Sequence, residues 1–289
     1  MKVDNAVILA AGIGQRFAPL TFEKHKALTV VKGEVLIERQ IRQLIEAGVL
    51  EIYIVVGYKS EQFEYLQDKY GVKLVYNTEY MTRNNSSSVW YARDILHNSY
   101  VCTSDNYYER NLFSACENNA CYTAQFSGKF INEWCMQEDA KGNICSVSVG
   151  GSNAWYMIGH AFWDEQFSRK FIDILAGEYD HPETYGKLWE HILIDHLDEL
   201  RMKISKLEQP LIHEFDSLDE LRRFDHTYYD ESHSILMKTL CRRLNTSEKD
   251  IINIVPIDET SPNMIGFEFD CNGIHYRYDY ATELLGAVD

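Results

Sequence analysis

Positive charge is scarce in this sequence. Its 28 lysines and arginines face 44 aspartates and glutamates, for a formal net charge of −16. A nucleic-acid binder needs a basic face to displace counterions, so the balance argues against that partner and against an anionic membrane surface. A small polyanionic ligand stays open wherever a few local cations or a metal reverse the field. Long apolar runs are missing too. No stretch approaches the ~18 residues of a membrane span, and the opening MKVDNAVILAAG leads directly into glycine and charge rather than into a cleavage region. Paired cysteines are also lacking: the seven are scattered, odd in number and never spaced C-x-x-C. They read as reduced thiols in a soluble, cytoplasmic protein. No long internal repeat or low-complexity segment occurs. What is present, 45% hydrophobic and 25% charged residues over 289 positions, fits one large globular domain, alone or with an appendage.

The apolar residues set the fold class. NAVILAA, residues 5–11, reads as a strand buried on both faces and stopped by glycine. EVLIERQIRQLIEAG carries Leu36, Ile37, Ile41, Leu44 and Ile45 at helical spacing and stops at Gly48. The strands EIYIVVGY and VKLVYN flank the helical SEQFEYLQDKYG, and SYVCTSDN is a fourth strand ending in Asp105. This alternation predicts an α/β protein with a doubly wound, mostly parallel, Rossmann-like sheet and helices on both faces. Ligands in such sheets bind beyond the carboxyl ends of the strands. The turn after NAVILAA and Asp105 therefore fall on one edge. The middle of the chain reads as shorter strands and then two helices, EQFSRKFIDILAGEY and TYGKLWEHILIDHLDEL. MKISKLEQPLIHEFD is extended and meets a helix start at SLDE, which puts Asp216 at a strand end. Beyond Tyr229 come the helix ILMKTLCRRLN and two strands joined by an Asn-Gly turn, a small α+β appendage. The reading divides the chain into residues 1–228 and 229–289.

Arg16, Lys24, His25 and Lys26 crowd the segment after Gly12 and Gly14, an odd concentration in so acidic a chain. Glycines after a first strand let backbone N–H groups approach phosphates. Phe17 stands where G-x-G-x-x-G requires its third glycine, so this is not a dinucleotide fingerprint. Lys26 lies too far beyond Gly14 for a Walker A loop.

The pattern L-A-A-G-x-G-x-R-(x9)-K-A-L, carried by Leu9, Ala10, Ala11, Gly12, Gly14, Arg16, Lys26, Ala27 and Leu28, resembles the signature of the sugar-phosphate nucleotidyltransferases. His25 stands where that family usually has proline. Within the superfamily the chain looks most like the bacterial choline-phosphate cytidylyltransferases, which make CDP-choline for decorating cell-surface polymers. IYIVVGYKSEQFEYL, the NN of TRNNSSSVWYA, SDN with Asp105, NEW with Trp134 and EFD with Glu214 and Asp216 carry this likeness over residues 5 to 228.

The resemblance implies a nucleotidyltransferase sheet and a Mg²⁺-dependent transfer of CMP from CTP to a small phosphorylated or phosphonate amino-alcohol. It assigns Arg16 to the nucleotide phosphates and Lys26 to the reacting α-phosphate. Leu9, Ala10, Ala11, Gly12, Gly14 and Asn85 fall to the nucleotide, and Asp105 with Asp216 to the metal. For the headgroup it offers Trp134, then Glu133, Tyr156, Trp189 and Glu214, since aromatic faces and nearby acids recognise a quaternary ammonium. Leu188 occupies a position where choline-specific relatives carry an aromatic residue. That leaves 2-aminoethylphosphonate or phosphoethanolamine as alternative acceptors behind phosphocholine. A sugar-1-phosphate nucleotidyltransferase and a non-catalytic nucleotide-binding regulator are the remaining readings.

Residues from about 233 to 289 faintly resemble the start of choline kinase domains, with Asn263, Phe267, Tyr276 and Arg277 as the matching positions. No catalytic H-x-D loop follows, so kinase activity is not expected. A surface for packing against the main domain or in a homodimer is the reading for this segment.

Overall fold

Every residue of the first strand, Asn5–Ala10, is buried. It lies between two parallel neighbours, Ile52–Val56 on one side and Ser99–Thr103 on the other. Lys73–Tyr76 extends this parallel core beyond Ile52–Val56. With no solvent-facing side, such a strand has no reason to alternate polar and apolar residues, and NAVILA does not. In the computed structural model, residues 1–258 and 263–288 are described. The chain divides into two compact units, Met1–Gly12 with Ile37–Glu214 and Ile13–Leu36 with Phe215–Asp289.

The first unit holds a nine-stranded mixed sheet. Its parallel core continues into an antiparallel extension through Ala154–Trp163, which pairs with Ser99–Thr103, Cys121–Ser127 and Ile131–Glu138. Helices Leu36–Glu46, Ser86–Tyr91 and Glu165–Glu178 accompany it, and Val7, Val101, Met136, Trp163, Phe171 and Trp189 are buried in one core. The α/β class read from the sequence is therefore what the chain adopts.

Two boundaries differ from the sequence reading. The strand expected to end in Asp105 stops at Thr103, which leaves Asp105 in the turn beyond the strand's carboxyl end. The helix expected across TYGKLWEHILIDHLDEL is confined to Trp189–Asp195. Leu188 is extended there (φ −72°, ψ 159°), and its N–H donates to His191 Nδ1 at 2.9 Å, so the imidazole caps the helix.

The second unit is built on an antiparallel sheet of four strands, in the order Ile251–Pro256, Gly266–Cys271, Ile274–Asp279, Leu285–Ala287. The middle pair turns at Asn272 and Gly273, both at positive φ, as the Asn-Gly dipeptide predicts. The outer two escaped the sequence reading. Ile251–Pro256 shifts register after Ile252, where Asn253 takes φ 53°, which breaks the alternation that marks a strand. Ser217 opens helix Leu218–Phe224 with the reciprocal Ser217–Glu220 cap that SLDE announced. Arg222 of that helix is fully buried and donates to the carbonyls of Tyr228, Glu248 and Ile251. Residues 229–289 thus share a unit with 215–228 and with the loop 13–36.

Candidate functional site

The signature loop sits in the second unit. Gly14 takes φ 67°, and a Cβ there would stand 3.2 Å from Thr21 Cγ2 and 3.5 Å from Lys26 Cβ. Both the left-handed backbone and the close approach of Lys26 call for glycine. Gly14→Ala is expected to cost about 1–2 kcal/mol from the conformation alone, read as a lowered denaturation midpoint, with a raised KM for the nucleotide. Phe17, which displaced the third glycine of a dinucleotide fingerprint, is 1% exposed, and the Lys26 ammonium lies 5.8 Å from its ring centroid. His25 adopts φ −60°, the value a proline would fix, and its Nδ1 accepts from the Ala27 N–H at 3.1 Å. The loop therefore follows a proline-compatible path, with an added cap.

Lys26 is buried, and its Nζ donates to Asp216 Oδ1 at 3.0 Å. Arg16, largely exposed, reaches Asp216 Oδ2 at 2.9 Å. One carboxylate thus gathers two cations that lie ten residues apart in the sequence. The Asp216 N–H in turn donates to Glu220 Oε2 at 2.6 Å, which fixes its backbone at the helix start.

In the first unit, Leu9, Ala10 and Ala11 are buried, so they can offer a nucleotide only backbone and shape. Asp105 follows strand Ser99–Thr103, and helix Leu36–Glu46 holds the segment that carries it. Gln40 Nε2 donates to the Thr103 carbonyl at 3.1 Å, while Arg39 Nε and Gln43 Nε2 donate to that of Tyr108 at 2.9 and 3.3 Å. These three residues read from sequence as polar positions of an amphipathic helix, and no motif marked them. Asn106 pairs with Glu214 across a short antiparallel ladder. Asp105 and Glu214 each offer a carboxylate oxygen, within 4.8 Å of one another. Two hard oxygen donors at that spacing fit a divalent cation such as Mg²⁺ or Mn²⁺ and do not favour a soft metal. Asp216 follows Glu214 by two positions and lies in the second unit.

The residues expected around the headgroup do not gather into one cage. Tyr156 pairs with Cys135 and Trp155 with Met136. By strand alternation Trp134 then shares a face with Met136, while Glu133 and Tyr156 lie on the opposite face. Tyr156 goes with Gln125, whose Nε2 donates to the Tyr156 hydroxyl at 3.0 Å and whose Oε1 accepts from the N–H groups of Leu211 and Ile212, leading to Glu214. On the other face the half-buried Trp134 meets the His191 ring edge-on, with centroids 5.0 Å apart. Trp189 is only 2% exposed, stacked on Tyr122 and edged by Trp163 and Phe171, so its ring belongs to the core. Expected behind Trp134 at the headgroup, Trp189 therefore lies in the core instead.

Its neighbour Glu190 is a further residue that the sequence reading did not single out. Glu190 is buried and accepts from the Tyr122 hydroxyl at 3.2 Å. Burial pushes its carboxyl up to about 7, hydrogen bonds from Tyr122 and Asn85 oppose the rise, and the negative charge of Asp105 adds to it. Asn85, expected on the nucleotide, also accepts from the Trp189 N–H through Oδ1 at 2.8 Å. A glutamate inside an apparent helix pattern carries no signal of its own. Only the late start of the helix, capped at Leu188, and the strand opposite make it a buried acid.

Comparisons with known proteins bear on the family and the fold. The family model described as nucleotidyl transferase matches residues 5–144. The chain is similar to the choline-phosphate cytidylyltransferase of Streptococcus pneumoniae, 34% identical over 227 residues, which span 78% of this chain and 99% of that protein. It is comparably similar to the 2-aminoethylphosphonate cytidylyltransferase of Lancefieldella rimae, 35% identical over 228 residues, 78% of this chain and 93% of the relative. Among solved structures, the CTP:phosphocholine cytidylyltransferase from Streptococcus pneumoniae matches with a TM-score of 0.75, covering 78% of this chain and 99% of that one. The inositol-1-phosphate CTP transferase from T. maritima, at 18% identity and a TM-score of 0.62, shares the fold. Among the described residues no helix is long and apolar enough to cross a membrane.

Proposed function

The chain belongs to the nucleotidyl transferase family, and from that premise we propose that it is a CTP:phosphocholine cytidylyltransferase. In this reaction a phosphate oxygen of the acceptor attacks the α-phosphorus of CTP. The bond from that phosphorus to the bridging oxygen of the β-phosphate breaks, and pyrophosphate leaves with both electrons. The acceptor phosphate is already ionised near neutral pH, so positioning and charge neutralisation supply most of the rate. The observation that carries the reading is the joint hold of Lys26 and Arg16 on Asp216 within the signature loop.

In the proposed mechanism Arg16, the more exposed cation, grips the outer phosphates. Lys26, buried and lying over Phe17, neutralises charge growing on the α-phosphate. Asp105 and Asp216 are the proposed ligands of Mg²⁺, which would bring further positive charge to the phosphate oxygens. Trp134 and Glu190 orient the cationic end of the acceptor, the ring through its face and the carboxylate through its charge. Pyrophosphate release, measured with CTP, Mg²⁺ and a panel of acceptors, tests the whole reading. Turnover with a sugar 1-phosphate and none with an ammonium-bearing acceptor would sink it.

A second reading, 2-aminoethylphosphonate as acceptor, has an observation of its own. Leu188 brings no aromatic face, and Glu190 Oε2 is buried with no hydrogen-bond partner among the described residues. A primary ammonium can donate to that oxygen, whereas a quaternary one cannot. Relative kcat/KM with CTP decides between the two; a tenfold preference for the primary amine would put this reading first.

Glu190 also gives the acceptor step a pH signature. Its ionised form attracts the cation, and it ionises at about 7. The acceptor KM is expected to fall as pH rises from 6 to 8 and to level off above. Glu190→Gln should flatten that dependence and raise KM, with the acceptor's own phosphate titration common to both proteins. Stability shifts in the opposite sense. A carboxyl raised in the folded state binds its proton more tightly there, so the wild type loses stability as pH climbs from the ordinary glutamate value towards 7. Glu190→Gln is therefore expected to have the higher Tm at pH 8 while catalysing less well.

A further inference from the structure

Between Arg16 and Lys26 the loop is held at its midpoint by the C-terminal segment. The carboxylate of Glu23 caps helix Ile235–Leu244 from outside. Oε1 accepts from the Ser234 hydroxyl and the Leu236 N–H, both at 2.7 Å, and Oε2 accepts from the Ile235 N–H at 2.9 Å. An anion at that position also meets the positive end of the helix dipole. The adjacent Phe22 is buried and stacks on Tyr280, with centroids 4.3 Å apart and planes 6° from parallel, and Phe267 lies 5.9 Å away. Further along, the Tyr228 hydroxyl donates to the Val30 carbonyl at 2.6 Å, and the Lys32 N–H donates to Asp225 Oδ2 at 2.7 Å. The loop 13–36 thus has its partners in residues 215–289, which share its compact unit.

We propose that the C-terminal segment 229–289 anchors the signature loop, holding Glu23 and Phe22 so that Arg16 and Lys26 are pre-placed for the triphosphate. The inference deepens the nucleotidyl-transfer reading and rests on it for the identity of the ligand. In this arrangement the extra segment is neither a second catalytic unit nor a passive extension. It lowers the ordering cost that the loop would otherwise meet on binding. Glu23, Phe22, Ser234 and Tyr280 are positioning residues, since they act on the phosphates through Arg16 and Lys26.

Two full-length variants test this. Glu23→Gln removes the charge and one acceptor of the cap; Tyr280→Ala removes the stacking ring, which is 45% exposed, so its loss leaves the fold intact should the first variant misfold. Amide exchange across residues 14–28 of the ligand-free protein should speed up by about fivefold to tenfold in each, the scale of losing one capping interaction. The KM for CTP should rise by a similar factor, with kcat and the acceptor KM within about twofold of wild type. Unchanged loop exchange in a variant whose C-terminal amides do exchange faster would overturn the anchor. So would a rise in acceptor KM equal to that for CTP. Failure of the wild type to turn over CTP would count against the function and leave the exchange result to judge the anchor.

Discussion

Lys26→Ala is expected to lower turnover with CTP by about 10²-fold or more, the loss typical of removing one preorganised group that stabilises transition-state charge. The lysine is buried beside Asp216 and above Phe17, so its desolvation has been met in the folded protein and no reorganisation is needed when charge develops. Removing it leaves Asp216 still paired with Arg16, and the fold should persist. The measurement is kcat for pyrophosphate release alongside a thermal melt. Lys26→Arg is expected to rescue poorly, because the lysine is buried with its stem close against Gly14 and a planar guanidinium does not reproduce the compact ammonium there. A near-normal kcat for Lys26→Ala would remove this residue from the mechanism.

The second large effect falls on the acids. Asp105→Asn and Asp216→Asn should each reduce turnover by about 10²-fold, and each should shift the Mg²⁺ concentration that gives half-maximal rate upward. Asparagine is the better replacement than alanine at Asp216. Alanine removes the acceptor to which the buried Lys26 Nζ donates, whereas an amide oxygen still accepts from Nζ. Direct Mg²⁺ or Mn²⁺ titration of the nucleotide-free variants supplies a readout separate from turnover. Wild-type metal dependence in both variants would exclude these residues as ligands.

Much of this was legible in the sequence, for identifiable reasons. The parallel core announced itself because a strand buried on both faces cannot hide its apolar run, as Asn5–Ala10 and Ile52–Val56 show. The signature loop was legible because its glycines and cations stand at fixed spacings within one short run of sequence. Glu190 was not, because its burial depends on Tyr122 across the sheet and on a helix that begins later than its periodicity implies. The division of the headgroup residues between two faces depends on strand register, and register belongs to pairs of strands rather than to either one. Arg39, Gln40 and Gln43 look like solvent-facing residues of a helix until the segment they hold is known.

Asp216 at rest answers both Arg16 and Lys26. In the proposed assignment the two phosphate-binding cations are thereby held under an internal decoy, a carboxylate that takes the place of the guest's charge. On that assignment, a triphosphate that brings its own metal could satisfy the displaced carboxylate as it takes the cations, and is therefore expected to compete for them better than a bare anion.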